Sequence, residues 1–136
     1  MKVVHGAMVL LVAVLTACQT PPLRPSCPLP GEITPDMLHG NWTVQIGGHA
    51  TPWALTLGAH PEHTDSLKGE IRQGQHRYPV VADLDDGEFT MEESHDGKSI
   101  AATWLGRPGQ DQCGKVVEGE RQGASPGTVQ RFRMHR

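Results

Sequence analysis

The chain predicts an all-β fold, a small antiparallel up-and-down meander of about eight strands forming a closed or nearly closed barrel. Three observations carry this. Apolar residues recur at every second position through a succession of short runs, the period of a strand with one buried face. The runs are separated by turn-forming pairs such as Gly47-Gly48, Asp86-Gly87 and Asp96-Gly97, which join antiparallel neighbours. Glycine and proline are plentiful, at 16 and 11, whereas long apolar patterns of helical period are missing, so no crossover helix is available to link parallel strands.

Thr34-Pro35-Asp36-Met37-Leu38-His39-Gly40 places a capping residue, a proline at the first helical position and a glycine stop in sequence, and so predicts one helical turn. The first strand then carries Trp42, Val44 and Ile46 on one face, and the second Trp53, Leu55 and Leu57. A third places Leu67 and Ile71 inward with Gly69 between them, and Lys68, Glu70 and Arg72 outward; Gln73-Gly74 turns the chain. The fourth strand presents Tyr78, Val80, Ala82 and Leu84, and the fifth Phe89 and Met91. The sixth reads Ile100, Ala102 and Trp104 inward against Ser99, Ala101 and Thr103, and ends at Gly106-Arg107-Pro108-Gly109. A seventh runs near Cys113 to Glu120. Beyond Gly123 to Gly127, a last strand carries Phe132 and Met134 on one face and Arg131, Arg133 and His135 on the other. Eight is a number at which such a meander closes and loses its edges, which favours a barrel over a two-sheet sandwich.

The chain ahead of these strands has a different character. Met1 to Leu15 carries Lys2 and then ten uninterrupted apolar residues from Gly6 to Leu15, too few for a membrane span of about 20 and suited to a removable signal. Leu15-Thr16-Ala17-Cys18 resembles the lipobox of bacterial lipoproteins. The resemblance implies removal of residues 1–17 as a lipoprotein signal peptide, with diacylglycerol and an N-acyl chain on Cys18 as the only added groups and no other cofactor. It implies stable attachment to the cell envelope, since more than one acyl chain is present. Gln19 stands where an aspartate would favour inner-membrane retention, which implies the outer membrane of a Gram-negative cell. With Cys18 lipidated, Cys27 and Cys113 remain as an even pair in a disulfide-permissive compartment.

Removing residues 1–17 leaves 119 residues, enough for one small domain and a tether. Residues 18–34 read as a lipidated, proline-rich tether, with Pro21, Pro22, Pro25, Pro28 and Pro30. At about 3.1 Å per residue the dozen or so residues from Gln19 to Gly31 span roughly 35–40 Å. Residues 35–136 form the barrel domain. The formal net charge of −3 is spread without long runs of either sign, so the chain makes no electrostatic case for nucleic acid or for an acidic lipid surface.

Leu38-His39-Gly40-Asn41-Trp42, a helical turn ending in Gly-x-Trp at the first strand, resembles the opening of calycin-type barrels such as lipocalins and avidins, which implies that Trp42 plugs one end. Trp42, Trp53, Tyr78, Phe89 and Trp104 are the inward aromatic residues, either filling the core or lining a small apolar pocket with Tyr78 as its polar handle. Among the histidines, His60 and His63 have close ligand spacing, with Asp65 beside them; two imidazoles and a carboxylate suit Zn²⁺ or Cu²⁺ if the loop folds around the ion. Pro61 prevents a helical presentation of that set.

The chain carries no Gly-x-Ser-x-Gly elbow, phosphate-cradling glycine loop with lysine, or Cys-x-x-Cys pair, and Glu92 and Glu93 occupy adjacent strand positions that face opposite ways. No catalytic residue is assigned and the expectation is a non-enzyme. The leading reading is a lipid-anchored envelope lipoprotein that presents a small β-barrel binding module, with the membrane and an envelope protein as partners. A second is an inhibitor of a protease or lysozyme. Periplasmic inhibitors of the alkaline-protease-inhibitor type are similar in size, with an eight-stranded barrel, one disulfide and an extended N-terminal segment. A third is a metal or small-ligand carrier.

Overall fold

The structure is a computed structural model and describes residues 26–125 and 127–136. Eight strands follow one another without a crossover: β1 Gly40–Ile46, β2 Trp53–Ala59, β3 Ser66–Gln73, β4 His76–Asp85, β5 Glu88–Ser94, β6 Ile100–Pro108, β7 Val116–Gly123 and β8 Val129–His135. Each pairs antiparallel with the next, and β8 returns to β1, closing the barrel. The closing seam is short, running from Thr43 opposite His135 to Ile46 opposite Phe132. Closure pairs every strand on both sides and leaves no edge for another chain to extend.

The alternation in the sequence is the alternation in the barrel. Trp42, Val44 and Ile46 of β1 are buried while Asn41, Thr43 and Gln45 are exposed, and β2, β4 and β5 repeat the pattern. The inward side chains form one hydrophobic cluster from Trp42 to Met134 that occupies the barrel interior. In an eight-stranded barrel the lumen is narrow enough for side chains alone to fill it.

Three expectations need correction. Ile100 does not face inward and is 51% exposed. A register shift between Glu93 and Ser94 pairs Glu93 with Ala102 and Ser94 with Ile100, so Ala101 is the extra residue of a bulge and the alternation breaks before Ile100. Next, Gly106-Arg107-Pro108 does not end β6. The strand continues through Pro108, with Gly106 paired to Gly119 and Pro108 to Val117. Finally, β7 starts at Val116 and not near Cys113, because Asp111, Cys113 and Gly114 adopt positive φ in a tight loop. The expected helical turn is present as the 3-10 turn Pro35–Leu38, without a side-chain cap from Thr34.

Residues 27–33 belong to the folded unit. Cys27 is disulfide-bonded to Cys113, with Cα atoms 4.6 Å apart. A second 3-10 turn, Pro30–Glu32, follows, and Ile33 is buried against the core, where its side chain approaches Gly114. In the chain-entropy picture, closing a loop with a sequence separation of 86 stabilises the fold by about 4–5 kcal/mol.

Strand coiling imposes a further demand at two glycines. A Cβ at Gly69 would overlap the Thr56 carbonyl across the β2–β3 ladder, and one at Gly119 would overlap the Leu105 carbonyl across β6–β7. Backbone stands where inward side chains would otherwise sit. Gly69→Ala is therefore expected to cost about 3 kcal/mol or more. Gly58→Ala, whose Cβ would meet nothing nearer than the Lys68 carbonyl at 4.0 Å, should leave the urea midpoint unchanged or slightly raised. Equal midpoints for the two variants would contradict the close approach at Gly69.

Candidate functional site

The two ends of the barrel are built differently. The end that bears the N-terminal segment is sealed. The Trp42 indole N–H donates to the Leu38 carbonyl at 2.9 Å, and the Arg136 guanidinium lies 4.9 Å from the Trp42 ring centroid. Arg136 also donates to the His39 and Met37 carbonyls, each at 2.6 Å. Arg136, just after the last strand, thus ties the 3-10 turn to the first strand.

The opposite end carries the chemistry. Glu93, on the inward face of β5 two residues beyond Met91, is fully buried. Its carboxylate accepts from Arg121 Nε at 3.1 Å and Nη2 at 3.2 Å, from Trp104 Nε1 at 3.2 Å, from Gln73 Nε2 at 2.8 Å and from His95 Nε2 at 2.7 Å. Arg121 is buried on β7, 5.3 Å from the Trp53 ring centroid and 5.5 Å from that of Trp104. Its remaining nitrogen Nη1 donates to Gln130 Oε1 at 3.1 Å. Burial of this kind is tolerated because the pair neutralises itself and the carboxylate oxygens are fully hydrogen-bonded.

Around this buried pair the rim is aromatic and imidazole-rich. Tyr78 stacks on His95 with centroids 3.9 Å apart, and the His76 ring lies parallel to the Tyr78 ring at 6.0 Å. His49 meets Trp53 edge-on at 5.0 Å. His95 is carried by a hairpin turn that Asp96 organises, accepting from the Lys98 and Ser99 backbone N–H groups at 2.8 and 2.7 Å and from the Ser99 hydroxyl at 3.0 Å. The Ser99 and Lys98 N–H groups, with the Ser99 hydroxyl, hold the Asp96 carboxyl far below the usual carboxylate range. The turn therefore keeps an ionised anchor and aims His95 back at Glu93.

The concave surfaces lie on the outside of the strands. A groove of about 710 Å³ runs beneath the 47–52 loop and over the outer faces of β1, β7 and β8, lined by Gln45, His49, Glu118, Glu120, Arg131 and Arg133 among others. Its charges are balanced, and Arg133 donates to Glu118 at 2.9 Å. Two smaller grooves, about 400 and 260 Å³, lie over β2, β3 and the start of β4 and share Ala54, Arg72 and Arg77.

The residues singled out in the sequence fall into three places. Trp42, Trp53, Phe89 and Trp104 are core, and Tyr78 is half-buried against that core. Cys27 and Cys113 are bonded, while Cys18 lies outside the described residues. In the loop between β2 and β3, His60, Glu62 and His63 bring one potential ligand atom each within 4.8 Å of one another, so the carboxylate beside the two imidazoles is Glu62 and not Asp65. There the Glu62 backbone N–H donates to His60 Nδ1 at 3.1 Å. That bond uses the Nδ1 lone pair and favours the tautomer with hydrogen on Nε2, so a cation at His60 Nε2 would have to compete with it.

Sequence reasoning missed Glu93 and Arg121. The signal was present in the alternation itself, since Glu93 continues the inward set Phe89 and Met91, and Arg121 continues Val117 and Gly119. An acid and a base that both fall inward on neighbouring faces are partners, because neither is tolerated there alone. The chain matches no protein-family model and no curated protein.

Burial pushes the Glu93 carboxyl up, but the hydrogen bonds from Arg121 and His95, the Arg121 charge and the Gln73 amide outweigh it, and the net shift is downward. A carboxyl lowered by folding stabilises the fold above its ordinary pKa of 4.5, and that contribution is lost as pH falls through the folded value. Glu93→Gln is expected to cost about 3–5 kcal/mol at neutral pH by leaving Arg121 buried without a counter-charge. The wild type should lose stability steeply below about pH 4.5, and the variant less steeply. Chemical melts from pH 3 to 7 on both proteins measure this, and parallel pH profiles would contradict the assignment.

Proposed function

We propose that this chain is a lipid-anchored lipoprotein of the cell envelope that presents a small, non-enzymatic β-barrel as a binding module, in the outer membrane if the cell is Gram-negative. The observation that carries the binding reading is the filled interior. With Trp104, Phe89, Leu55 and Met91 packed into the lumen, recognition falls to the outer grooves and the imidazole-rich rim, surfaces suited to a protein partner or a polar ligand. The anchoring reading draws on Leu15-Thr16-Ala17-Cys18. Cys27, nine residues after Cys18, is bonded to Cys113 at the end of the barrel sealed by Arg136 and Trp42. Cells expressing the chain should incorporate labelled palmitate into it, and Cys18→Ser should abolish labelling and release the protein from the membrane fraction. Unlabelled wild-type protein would remove the anchoring reading.

A second reading, inhibition of a protease or lysozyme, is favoured by a specific combination. The chain has the eight-stranded barrel, one disulfide and an N-terminal segment ahead of the barrel, the same three features that make it similar to inhibitors of the alkaline-protease-inhibitor type. The disulfide at Cys27 fixes where such a segment would leave the barrel. Residual activity of a panel of secreted metalloproteases, serine proteases and lysozymes in the presence of the purified chain decides this reading: a stoichiometric loss for one class supports it, and full activity throughout excludes it.

A further inference from the structure

On the outer face of β3 and β4, Arg72 and Arg77 are direct cross-strand partners. Two like charges at that spacing repel, and a sequence constrained only by folding gains by placing an acid or a hydroxyl at one of them. Little neutralises the pair. Arg77 donates to Glu70 at 3.2 Å in a solvent-exposed contact, the kind that contributes little. Arg72 takes part in no side-chain hydrogen bond or ion pair among the described residues.

The surface around the pair is concave. The outward residues of the neighbouring strand β2 are small at Ala54, Thr56 and Gly58, so β2 forms the floor of a trough and the two arginines form its wall. The 400 Å³ groove at the far end of the barrel also exposes Thr51 and Gln75, and it runs through Ala54, Arg72 and Arg77 into the 260 Å³ groove. Two guanidinium forks beside hydroxyl and amide donors match an anion with several oxygens and close to two negative charges, and a phosphomonoester at neutral pH has both. A single carboxylate leaves one guanidinium unmatched.

We infer that the Arg72–Arg77 trough is a binding subsite for a phosphomonoester group. The inference rests on the reading of the barrel as a binding module whose ligands meet its outer surface, and it supplies a ligand chemistry for that module. It also gives a reason for the like-charge register, since the repulsion between the arginines is relieved when the anion binds.

The purified full-length chain in nonionic detergent is titrated with inorganic phosphate, glucose 6-phosphate and acetate by calorimetry, and sedimented with phosphatidic acid vesicles and neutral phosphatidylcholine vesicles. Phosphate and glucose 6-phosphate should bind saturably and acetate at least tenfold more weakly. Arg72→Gln and Arg77→Gln should each weaken phosphate binding at least tenfold, while Arg107→Gln, on β6 and in none of the three grooves, should leave it unchanged. The melting temperatures of Arg72→Gln and Arg77→Gln should stay level or rise, because repulsion is removed; a merely structural role would lower them. Binding of glucose 6-phosphate without phosphatidic acid vesicles assigns a soluble or glycan source, and the reverse assigns a lipid headgroup. Absence of saturable binding by every phosphate probe, or binding that survives both arginine substitutions, overturns the subsite. Palmitate labelling of the same preparations reports on the anchor separately, so loss of one reading is distinguishable from loss of the other.

Discussion

Each end of the barrel is closed by an arginine laid against tryptophan, and the rest of the molecule is arranged around those two contacts. At the N-terminal end Arg136 covers Trp42 and holds the carbonyls of the 3-10 turn. At the other end Arg121 lies against Trp53 and Trp104 and is neutralised by Glu93. A guanidinium is weakly hydrated and flat, so it stacks on an indole face and still directs its donors outward from the stack. Between these contacts the lumen needs only hydrocarbon. The barrel is thus a filled cylinder with two polar seals.

The two ends also differ in what they present at the surface. The sealed end carries the Cys27–Cys113 disulfide, the 3-10 turn Pro30–Glu32 and Arg136. The opposite end and its adjoining outer faces carry His49, His76, Tyr78, His95 and the grooves. Glu93 links the two levels. It is buried, yet it accepts from His95 at the rim, so the hairpin turn at Asp96 is coupled to the core by one hydrogen bond and one aromatic stack. A fully satisfied buried network of this kind fixes the geometry of what it touches, here the position of the β5–β6 turn.

The bulge at Glu93 and Ser94 sits at this junction. By adding a residue to β6 it turns Ile100 out to solvent. The same break lets the chain leave the ladder and bring His95 back over the rim.

The sequence by itself determined the class, the strand count and almost every inward residue, because side chains alternate between faces with a period of two and turn residues mark where each strand stops. It also pointed to the Cys27–Cys113 pair and to Trp42 as an end residue. Its alternation put both Glu93 and Arg121 inward but did not pair them, because they lie 28 residues apart on β5 and β7, strands separated in the sheet by β6. Only the tertiary structure decided that pairing, together with the bulge that expels Ile100, the extension of β6 through Pro108, and the approach of the Glu62 carboxylate to His60 and His63. Each of these depends on register between strands or on a loop's path. Register is set by packing across the barrel, and no local run of residues contains it.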